Sequence, residues 1–401
     1  MGSIRVHIIT ALGALVVALP FVGPGVGTAL PRSSSATQYE VTELSSLGGT
    51  SSAGNSINDE GWIAGFSNRQ GDATTGATLW RDGTPIALGT LGGPNSAVLW
   101  PVKNTHGMIA GVAETAEVDP FNENWSCSAF FPGPATHHVC LGFVWRNGRM
   151  KPLPTLGGNN GFATGLNNDG LVVGWAENTV HDPTCNLPQV LQFRAVVWNG
   201  HSRRVVRELS PLPGDTVTAA TAINDAGQVV GISGICANAV GGYSAAHAVL
   251  WQDGRPTDLG DLGGVAWNTP MAINDQGAVV GFANVPNDDP GAFNAHAFLW
   301  TEEAGMQDLG TLPGDALSQG LGINDQGQVV GISCTAGFGS CRAFLWDDGT
   351  MIDLNALASG YDGHFVFAND INDAGEITGQ SIDAQTGDAV AFRAAPIDSA
   401  T

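Results

Sequence analysis

Two aspartates at matching places in the repeats of this chain are candidates for acid–base chemistry. Asp215 and Asp315 each end a Leu-Pro-Gly-Asp segment. Two carboxylates that approach one ligand can act as general acid and general base, or as cation ligands. We group His364, which lies in a similar connecting segment, with them as a candidate catalytic trio. The alternative is that each aspartate only caps its own turn.

Three further side chains are candidates for ligand binding. Asn95, Asn160 and Trp267 lie in segments that connect successive repeats. We expect the tips of these segments to surround a central opening. Variable connections on a repeating scaffold commonly carry binding residues, so these three are predicted to contact a ligand.

A long insertion, residues 113–141, is the second candidate binding region. It contains Trp125 and Phe130 among several carboxylates. Exposed aromatic rings in such surroundings favour contact with a carbohydrate or a protein partner. The alternative is a small local core that a disulfide between Cys127 and Cys140 holds together.

Several familiar catalytic and cofactor motifs are missing from the sequence. There is no Gly-x-Ser-x-Gly, no His-Glu-x-x-His and no phosphate-binding Gly-Lys-Ser segment. The cysteine pairs lack the close spacing that is typical of zinc sites. We therefore predict no cofactor and no bound metal.

These candidates lie in a chain that repeats itself. The segment Ile-Asn-Asp-Gln-Gly-Ala-Val-Val-Gly at 273–281 recurs with small changes from Ile223 and from Ile323. Its asparagine occurs seven times in all, at positions 58, 104, 167, 224, 274, 324 and 372. A period of about 50 residues indicates an array of similar supersecondary units.

One repeat predicts four short strands. Around Asn274 the strands are expected at 267–273, 278–283, 296–300 and 306–309, with an Asx-Gly turn between the first two. Four antiparallel strands in each of seven repeats predict an all-β fold, a seven-bladed β-propeller. An open array and an eight-bladed ring are the alternatives.

The two ends of the chain complement each other. Residues 39–44 resemble the fourth strand of a repeat, and the last repeat stops after its third strand, near residue 396. We therefore expect the N-terminal strand to join the last blade and close the ring. Closure would remove exposed strand edges, which otherwise promote aggregation.

The repeated asparagines and aspartates also have two interpretations. Side chains at identical positions resemble a ladder of calcium ligands, but calcium needs several oxygens that converge on one site. Each Asn-Asp pair lies in a turn, where Asx side chains bond to their own backbone. We predict turn chemistry, and we assign binding to the variable connections on the opposite face.

Several linked motifs resemble those of the extracellular HAF-repeat family. They are the Ala-His-Ala-Phe-Leu-Trp stretch at 295–300, the Asp-Leu-Gly-Thr-Leu and Leu-Gly-Gly segments, and the repeated Ile-Asn-Asp-x-Gly-x-Val-Val-Gly. Only His296 matches the family's His-Ala-Phe label in full, because Ala-Val follows His247 and Arg342 replaces the histidine in its repeat. The resemblance implies a secreted, propeller-like protein and brings no defined catalytic residues.

Composition and chain ends indicate export. The net charge is −22, which disfavours binding to nucleic acid or anionic lipid. Arg5 precedes an apolar run at 8–22 and a small-residue cleavage site at Gly27-Thr28-Ala29, as in a signal peptide. We divide the chain into a signal peptide (1–29), a spacer (30–38), a propeller (39–396) and a tail (397–401). A retained membrane anchor is the alternative.

The six cysteines fit an oxidising compartment. Cys127 and Cys140 share one connection, and Cys334 and Cys341 share another. Cys185 and Cys236 occupy equivalent connections of adjacent repeats. The repeat register therefore predicts these three disulfides.

The leading functional prediction is a secreted, monomeric binding module whose ligand is a glycan, a surface component or a protein. It rests on a rigid scaffold with one face of irregular connections and no complete catalytic motif. The alternative is an extracellular lyase, hydrolase or isomerase with its site at the channel mouth on that face. The fold alone does not decide between them.

Overall fold

The structure is a computed structural model that describes residues 37–123, 127, 130–131, 135–237, 241–286 and 292–397. The predicted signal peptide lies outside these residues, as do most of the predicted spacer and tail. Strands dominate the described part, and its helices are three short 3-10 helices at Gly242–Ala245, Ala336–Phe338 and Leu354–Ala356. None of these helices has the length and apolarity needed to cross a membrane.

The strands follow the repeats closely, and we number the repeats as units 1 to 7. In the described residues the strands are β1 (Gln38–Glu43); in unit 1, β2 (Gly48–Ile57), β3 (Ile63–Arg69), β4 (Thr75–Arg81) and β5 (Thr84–Ala87); in unit 2, β6 (Gly92–Ala97), β7 (Met108–Val118), β8 (His138–Arg146) and β9 (Arg149–Pro152); in unit 3, β10 (Gly161–Leu166), β11 (Leu171–His181), β12 (Leu191–Asn199) and β13 (Arg204–Leu209); in unit 4, β14 (Val217–Ile223), β15 (Val229–Gly234), β16 (His247–Gln252) and β17 (Arg255–Asp258); in unit 5, β18 (Thr269–Ile273), β19 (Val279–Asn284), β20 (Ala295–Thr301) and β21 (Gly305–Gly310); in unit 6, β22 (Leu317–Ile323), β23 (Val329–Cys334), β24 (Cys341–Asp347) and β25 (Thr350–Asp353); and in unit 7, β26 (His364–Ile371), β27 (Ile377–Ile382) and β28 (Ala389–Ile397).

Units 2 to 6 each form a four-stranded antiparallel sheet in which neighbours in sequence are neighbours in space. The four strands predicted around Asn274 match β18 to β21, with ends that differ by a few residues. The all-β prediction and the four-stranded units are therefore confirmed.

Units 1 and 7 meet in an eight-stranded sheet of the described residues. A single parallel bridge between Ser51 and Ala389 joins the two halves. β1 pairs antiparallel with β28, with Val41 opposite Ala394, as the chain ends predict. β1 begins at residue 38, the last of the predicted spacer, and β28 ends at residue 397, the first of the predicted tail.

The repeated asparagine bonds both within its turn and to the next unit. The Oδ1 atom of Asn274 accepts a hydrogen bond from the Ala278 N–H at 2.8 Å. Its Nδ2 atom donates to the main-chain oxygen of Asn324 at 3.1 Å. The equivalent bonds between units run from Asn58 to Asn104, Asn104 to Asn167, Asn167 to Asn224, Asn224 to Asn274, Asn324 to Asn372 and Asn372 to Asn58.

The glycine that recurs in the second strand allows a close approach of two backbones. A Cβ atom added to Gly281 would lie 2.1 Å from the main-chain oxygen of Thr269 on the first strand. The same clash would arise at Gly231 with Ala219 and at Gly331 with Gln319. Only glycine fits there, which explains why every repeat keeps it.

Tryptophans of the third strand attach neighbouring units to each other. Trp80, Trp198 and Trp251 are buried. Their indole N–H groups donate to main-chain oxygens in the segment that leaves the preceding unit, at 2.8, 2.9 and 2.8 Å. Each ring therefore adds both apolar contact and a satisfied hydrogen bond to a junction between units.

One buried apolar cluster takes residues from all seven units. It includes Phe66 from unit 1, Trp175 from unit 3, Met271 from unit 5, Leu321 from unit 6 and Val366 from unit 7, with others from units 2 and 4. The first two strands of the units supply much of this cluster. A shared core of this kind fixes the units relative to one another.

The three predicted disulfides are confirmed: Cys127–Cys140, Cys185–Cys236 and Cys334–Cys341. The first lies within the insertion of unit 2. The second connects the β11–β12 segment of unit 3 to the β15–β16 segment of unit 4. The third closes the short β23–β24 connection of unit 6. All three hold connections between a second and a third strand.

Candidate functional site

The antiparallel strands give the units two different faces. We call the side with the Asn-Asp-x-Gly turns between first and second strands the turn face. The connections between second and third strands lie at the other end of the second strand, and we call that side the loop face. The turns are nearly identical in sequence, whereas the loop-face connections differ in every unit.

A small acidic pocket lies on the turn face. Its walls include five carboxylates and Lys103, together with the isoleucines that end three first strands. The carboxylates are those of Asp59, Asp225, Asp275, Asp325 and Asp373. The cavity volume is about 60 Å³, enough for a few water molecules and far below the roughly 300–1,000 Å³ of most small-molecule sites.

These aspartates serve the junctions between units. Oδ1 of Asp275 accepts the Asp225 N–H at 2.9 Å, and Oδ1 of Asp325 accepts the Asp275 N–H at 2.9 Å. Burial, reinforced by neighbouring aspartates, raises the pKa values of Asp275 and Asp373. Among the described residues, no three His, Cys, Asp or Glu side chains are arranged to hold a metal ion. These aspartates accept main-chain N–H groups at the turns, and each of the bonds joins one unit to the next.

Asp215 and Asp315 occupy equivalent places in units 4 and 6. Oδ2 of Asp215 accepts from the Ser233 hydroxyl at 2.6 Å, and Oδ2 of Asp315 accepts from the Ser333 hydroxyl at 2.8 Å. The N–H of each aspartate also bonds to a leucine oxygen within its own turn. Each carboxylate therefore joins its connecting segment to a serine on the second strand of its own unit, β15 in unit 4 and β23 in unit 6.

His364 begins β26 and contacts the main-chain oxygen of Cys341 through Nε2, at 3.1 Å. Among the described residues, no hydrogen bond or ion pair connects Asp215, Asp315 and His364 to one another. The candidate catalytic trio stays a prediction.

A side chain at the start of the third strand, on its first or second residue, pairs with an aspartate on the fourth. Nδ1 of His296 lies 2.9 Å from Oδ2 of Asp308, and Nδ1 of His247 lies 3.1 Å from Oδ2 of Asp258. Arg342 makes the equivalent contact in unit 6. This pairing was not predicted from the sequence, although the His-Ala-Phe and Asp-Leu-Gly segments that carry it recur together. Their co-occurrence is the signal that could have revealed it.

Asn95 and Asn160 are buried, which corrects the expectation that they lie at exposed loop tips. The N–H and Nδ2 of Asn95 donate to Oε2 of Glu114 at 3.0 and 2.9 Å. Asn160 makes the same two bonds to Glu177 at 2.8 and 3.2 Å. Each pair joins the entry segment of a unit to its second strand, so the amides are used inside the fold.

A buried polar network lies beneath the unit 2 insertion. Oε1 of Glu123 accepts the N–H groups of Val190 and Leu191 at 2.9 and 2.6 Å. Nε2 of Gln189 lies between Glu123 and Glu177, at 3.3 and 3.1 Å. Burial and the nearby Glu177 raise the pKa of Glu123 to about 7. Such a pKa suits acid–base catalysis, but Glu123 is buried and holds two connections together.

Phe130 belongs to an aromatic cluster within the fold. Its ring centroid lies 4.9 Å from Phe162, 6.1 Å from Trp100 and 6.3 Å from Trp175. This packing supports the local-core alternative for the insertion. Trp125 lies outside the described residues. Among the described residues of this region, Phe121 is an exposed aromatic residue, with its ring 5.4 Å from that of His181.

Trp267 is buried beside a second aromatic group, which corrects its expected exposure at a loop tip. Its ring meets Phe293 edge to face, with centroids 5.4 Å apart. Phe293 in turn packs on Phe282 and Phe338. The φ angle of Trp267 is 61°, in the left-handed region that bulky residues rarely adopt.

Comparisons with known proteins give only distant likenesses. No protein-family model matches this chain, and no curated protein matches it either. Similar solved structures include an acylaminoacyl peptidase from Pyrococcus horikoshii, with 11% identity and a TM-score of 0.45 over 84% of this chain and 49% of that chain. An oligogalacturonate lyase in complex with manganese has 12% identity and a TM-score of 0.46 over 91% and 95%.

A dipeptidyl peptidase 4 from Porphyromonas gingivalis has 10% identity and a TM-score of 0.36, over 83% of this chain and 51% of that chain. The chain thus spans about half the length of the two peptidases. Likenesses at these TM-scores carry no argument about activity.

Proposed function

We propose that this protein is a secreted, seven-bladed β-propeller of the HAF-repeat type. In this proposal it binds a glycan, a surface component or another protein through its loop face. The single observation that carries the binding proposal is the contrast between the two faces. The turn face is built from near-identical turns that bond to one another, whereas the loop face presents a different connection in each unit.

The proposed ring is supported by contacts between units 1 and 7. β1 pairs with β28, and the side chain of Asn372 bonds to Asn58 as each repeated asparagine bonds to the next. Oδ1 of Asp59 also accepts the Asp373 N–H at 3.0 Å. A closed ring leaves only short sheet edges at the outer strands, and it makes the loop face rigid enough for recognition.

Exposed apolar side chains support binding on the loop face. Val118, Phe121, Val180 and Leu187 lie at the ends of the long β7 and β11 strands or in the connections that follow them, and they are 68, 39, 50 and 84% exposed. Burial of such side chains against a partner is favourable by roughly 25 cal/mol per Å². The connections that carry them are held by Glu123 and two disulfides, so their positions need little further ordering on binding.

Secretion is supported by the three disulfides, which are typical of oxidising compartments. The predicted signal peptide gives the corresponding route. The N-terminal sequence of the protein recovered from culture medium tests this part, with residue 30 as the expected first residue.

Binding is tested with the mature protein, labelled and applied to a glycan array and to cell-surface extracts. Leu187→Ser and Phe121→Ser alter the loop face. Val206→Ser is the matched control, because Val206 is 55% exposed on an outer strand. We expect the first two variants to lose binding and the control to keep it. Absence of any ligand, or equal losses in all three variants, would contradict the proposal.

A further inference from the structure

We propose that Trp267, Asn268 and Thr269 form a subsite for a neutral sugar residue. The inference rests on the proposed function, since it places part of the ligand on the loop-face side, and it names the chemical class of that ligand.

Three consecutive side chains carry a buried polar atom without a partner. They are Nε1 of Trp267, Oδ1 of Asn268 and Oγ1 of Thr269. The residues are 6, 1 and 0% exposed. Most buried polar atoms in proteins are hydrogen-bonded, and each exception is costly. Three exceptions in a row indicate groups that a ligand satisfies.

The segment is otherwise well fixed. The Trp267 N–H donates to the Gly242 oxygen at 3.2 Å, and the Asn268 N–H donates to the Ala245 oxygen at 2.9 Å. Nδ2 of Asn268 donates to the Ala246 oxygen at 2.8 Å. Exchange of the amide oxygen and nitrogen would break this last bond. The unpartnered atoms therefore do not result from a loosely held loop.

The residues equivalent to Asn268 in the neighbouring units have partners. Thr218 and Ser318 precede the repeated asparagines Asn224 and Asn324 by the same number of residues as Asn268 precedes Asn274. The three residues are therefore equivalent. Oγ1 of Thr218 accepts the Ala195 N–H at 2.9 Å, and Oγ of Ser318 accepts the Ala297 N–H at 2.8 Å. These bonds attach one unit to the preceding one. In unit 5 the side-chain oxygen of Asn268 makes no such bond. An unpartnered oxygen at this position is therefore not a general property of the fold.

The backbone conformation of Trp267 is a second unusual feature of this segment. A φ of 61° is unfavourable for a residue other than glycine, and such strain clusters at ligand-binding sites. This backbone conformation sets the indole against Phe293 with its N–H unpaired.

The chemistry of the three groups selects the ligand. The indole is a donor, the amide oxygen is an acceptor and the hydroxyl is both. A sugar ring has hydroxyl groups that match all three, and it has an apolar C–H face that packs on indole and phenyl rings. In the described structure no charged side chain bonds to these residues, so an ionised sugar would be desolvated without compensation. Half-buried Phe293 covers Trp267, and its ring must turn to admit the sugar.

The test is calorimetric titration of the mature protein with neutral tetrasaccharides of glucose, mannose, galactose, xylose and N-acetylglucosamine, with tryptophan fluorescence recorded in parallel. We expect at least one of them to bind. Thr269→Val and Trp267→Phe should each weaken its association about tenfold, the equivalent of one hydrogen bond. Thr218→Val and Ser318→Ala are the controls and should leave affinity unchanged.

Thermal unfolding of every variant separates loss of the subsite from loss of the fold. Thr269→Val removes an unpaired hydroxyl, so it should not lower the melting temperature. Two outcomes overturn the inference while leaving the proposed function intact: loop-face binding of extracts with no response to any tetrasaccharide, or sugar binding that neither variant weakens. If extracts and sugars both fail to bind, the proposed function fails as well.

Discussion

The side-chain amide of Asn372 donates to the main-chain oxygen of Asn58 at 3.1 Å, across 314 residues of sequence. The same amide-to-carbonyl bond connects Asn274 to Asn324, which are 50 residues apart. A local turn residue thus also connects the first unit to the last. Because both bonds are buried, their loss should have a measurable cost.

Replacement of Asn274 by aspartate tests this role. Asn274→Asp keeps the oxygen that closes the turn but removes the donor, and it sets a carboxylate against the Asn324 oxygen. We expect the free energy of unfolding to fall by about 1–3 kcal/mol, as measured by urea titration. Asn199→Asp is the control, because Asn199 uses only its side-chain oxygen, with Ser202.

Asn372→Asp extends the experiment to the junction of units 7 and 1. We expect a loss similar to that at Asn274. If Asn372→Asp changes stability no more than Asn199→Asp does, the proposed closure contributes nothing, and an open array becomes the better description.

Replacement of Asp275 by asparagine should increase the stability of the fold. Its Oδ1 accepts the Asp225 N–H, and an asparagine can keep that bond, as Asn168 does with the Thr105 N–H at 2.9 Å. Burial and neighbouring aspartates raise the pKa of Asp275, so removal of its charge relieves repulsion. We expect Asp275→Asn to stabilise the protein by about 0.5 kcal/mol, a small value because solvent screens exposed charges.

The gain from Asp275→Asn should shrink in 1 M salt, where charge interactions are screened further. Asp275→Ala removes the acceptor as well as the charge and serves as the comparison. A stabilising alanine, or a gain that salt does not reduce, would contradict the repulsion argument.

Much of the architecture could be predicted because it follows from local chemistry repeated many times. The Asn-Asp-x-Gly turns and the Val-Val-Gly strands specify one unit, and the register of the cysteines specifies the disulfides. Contacts between distant parts of the sequence could not be predicted in this way. Asn95 appears as an exposed tip until its partner Glu114 is known, and nothing in the local sequence shows that the Asn274 amide bonds to the next unit.

Arg342 should contribute to the free energy of unfolding because it pairs with a nearly buried carboxylate. Its Nη2 lies 2.8 Å from Oδ2 of Asp315, whose side chain is 4% exposed, and its Nη1 lies 3.1 Å from Oδ2 of Asp353. Arg342→Ala leaves Asp315 without its cation, and we expect a loss of about 1–3 kcal/mol in urea unfolding. Arg342→His should recover part of it, because His247 contacts two aspartates from the same position.

The control for Arg342 is Arg393→Ala. Arg393 pairs with Glu376 near the surface, where an ion pair contributes less than about 1 kcal/mol. Equal losses at Arg342 and Arg393 would show that burial of Asp315 does not set the cost.

Glu123 should make stability fall as pH rises. Burial, with Glu177 nearby, raises its pKa from 4.5 to about 7 in the folded protein. Between these two values the unfolded chain has released the proton that the folded chain keeps, so stability decreases across this window and levels off above it.

Glu123→Gln removes this contribution while keeping an oxygen for the Val190 and Leu191 N–H groups. We expect the drop in unfolding free energy between pH 5 and pH 8 to be smaller in the variant, by on the order of 1–3 kcal/mol. Glu117→Gln, an exposed change near the end of β7, should keep the drop of the original protein, and a Glu123→Gln variant that also keeps it would refute the assignment.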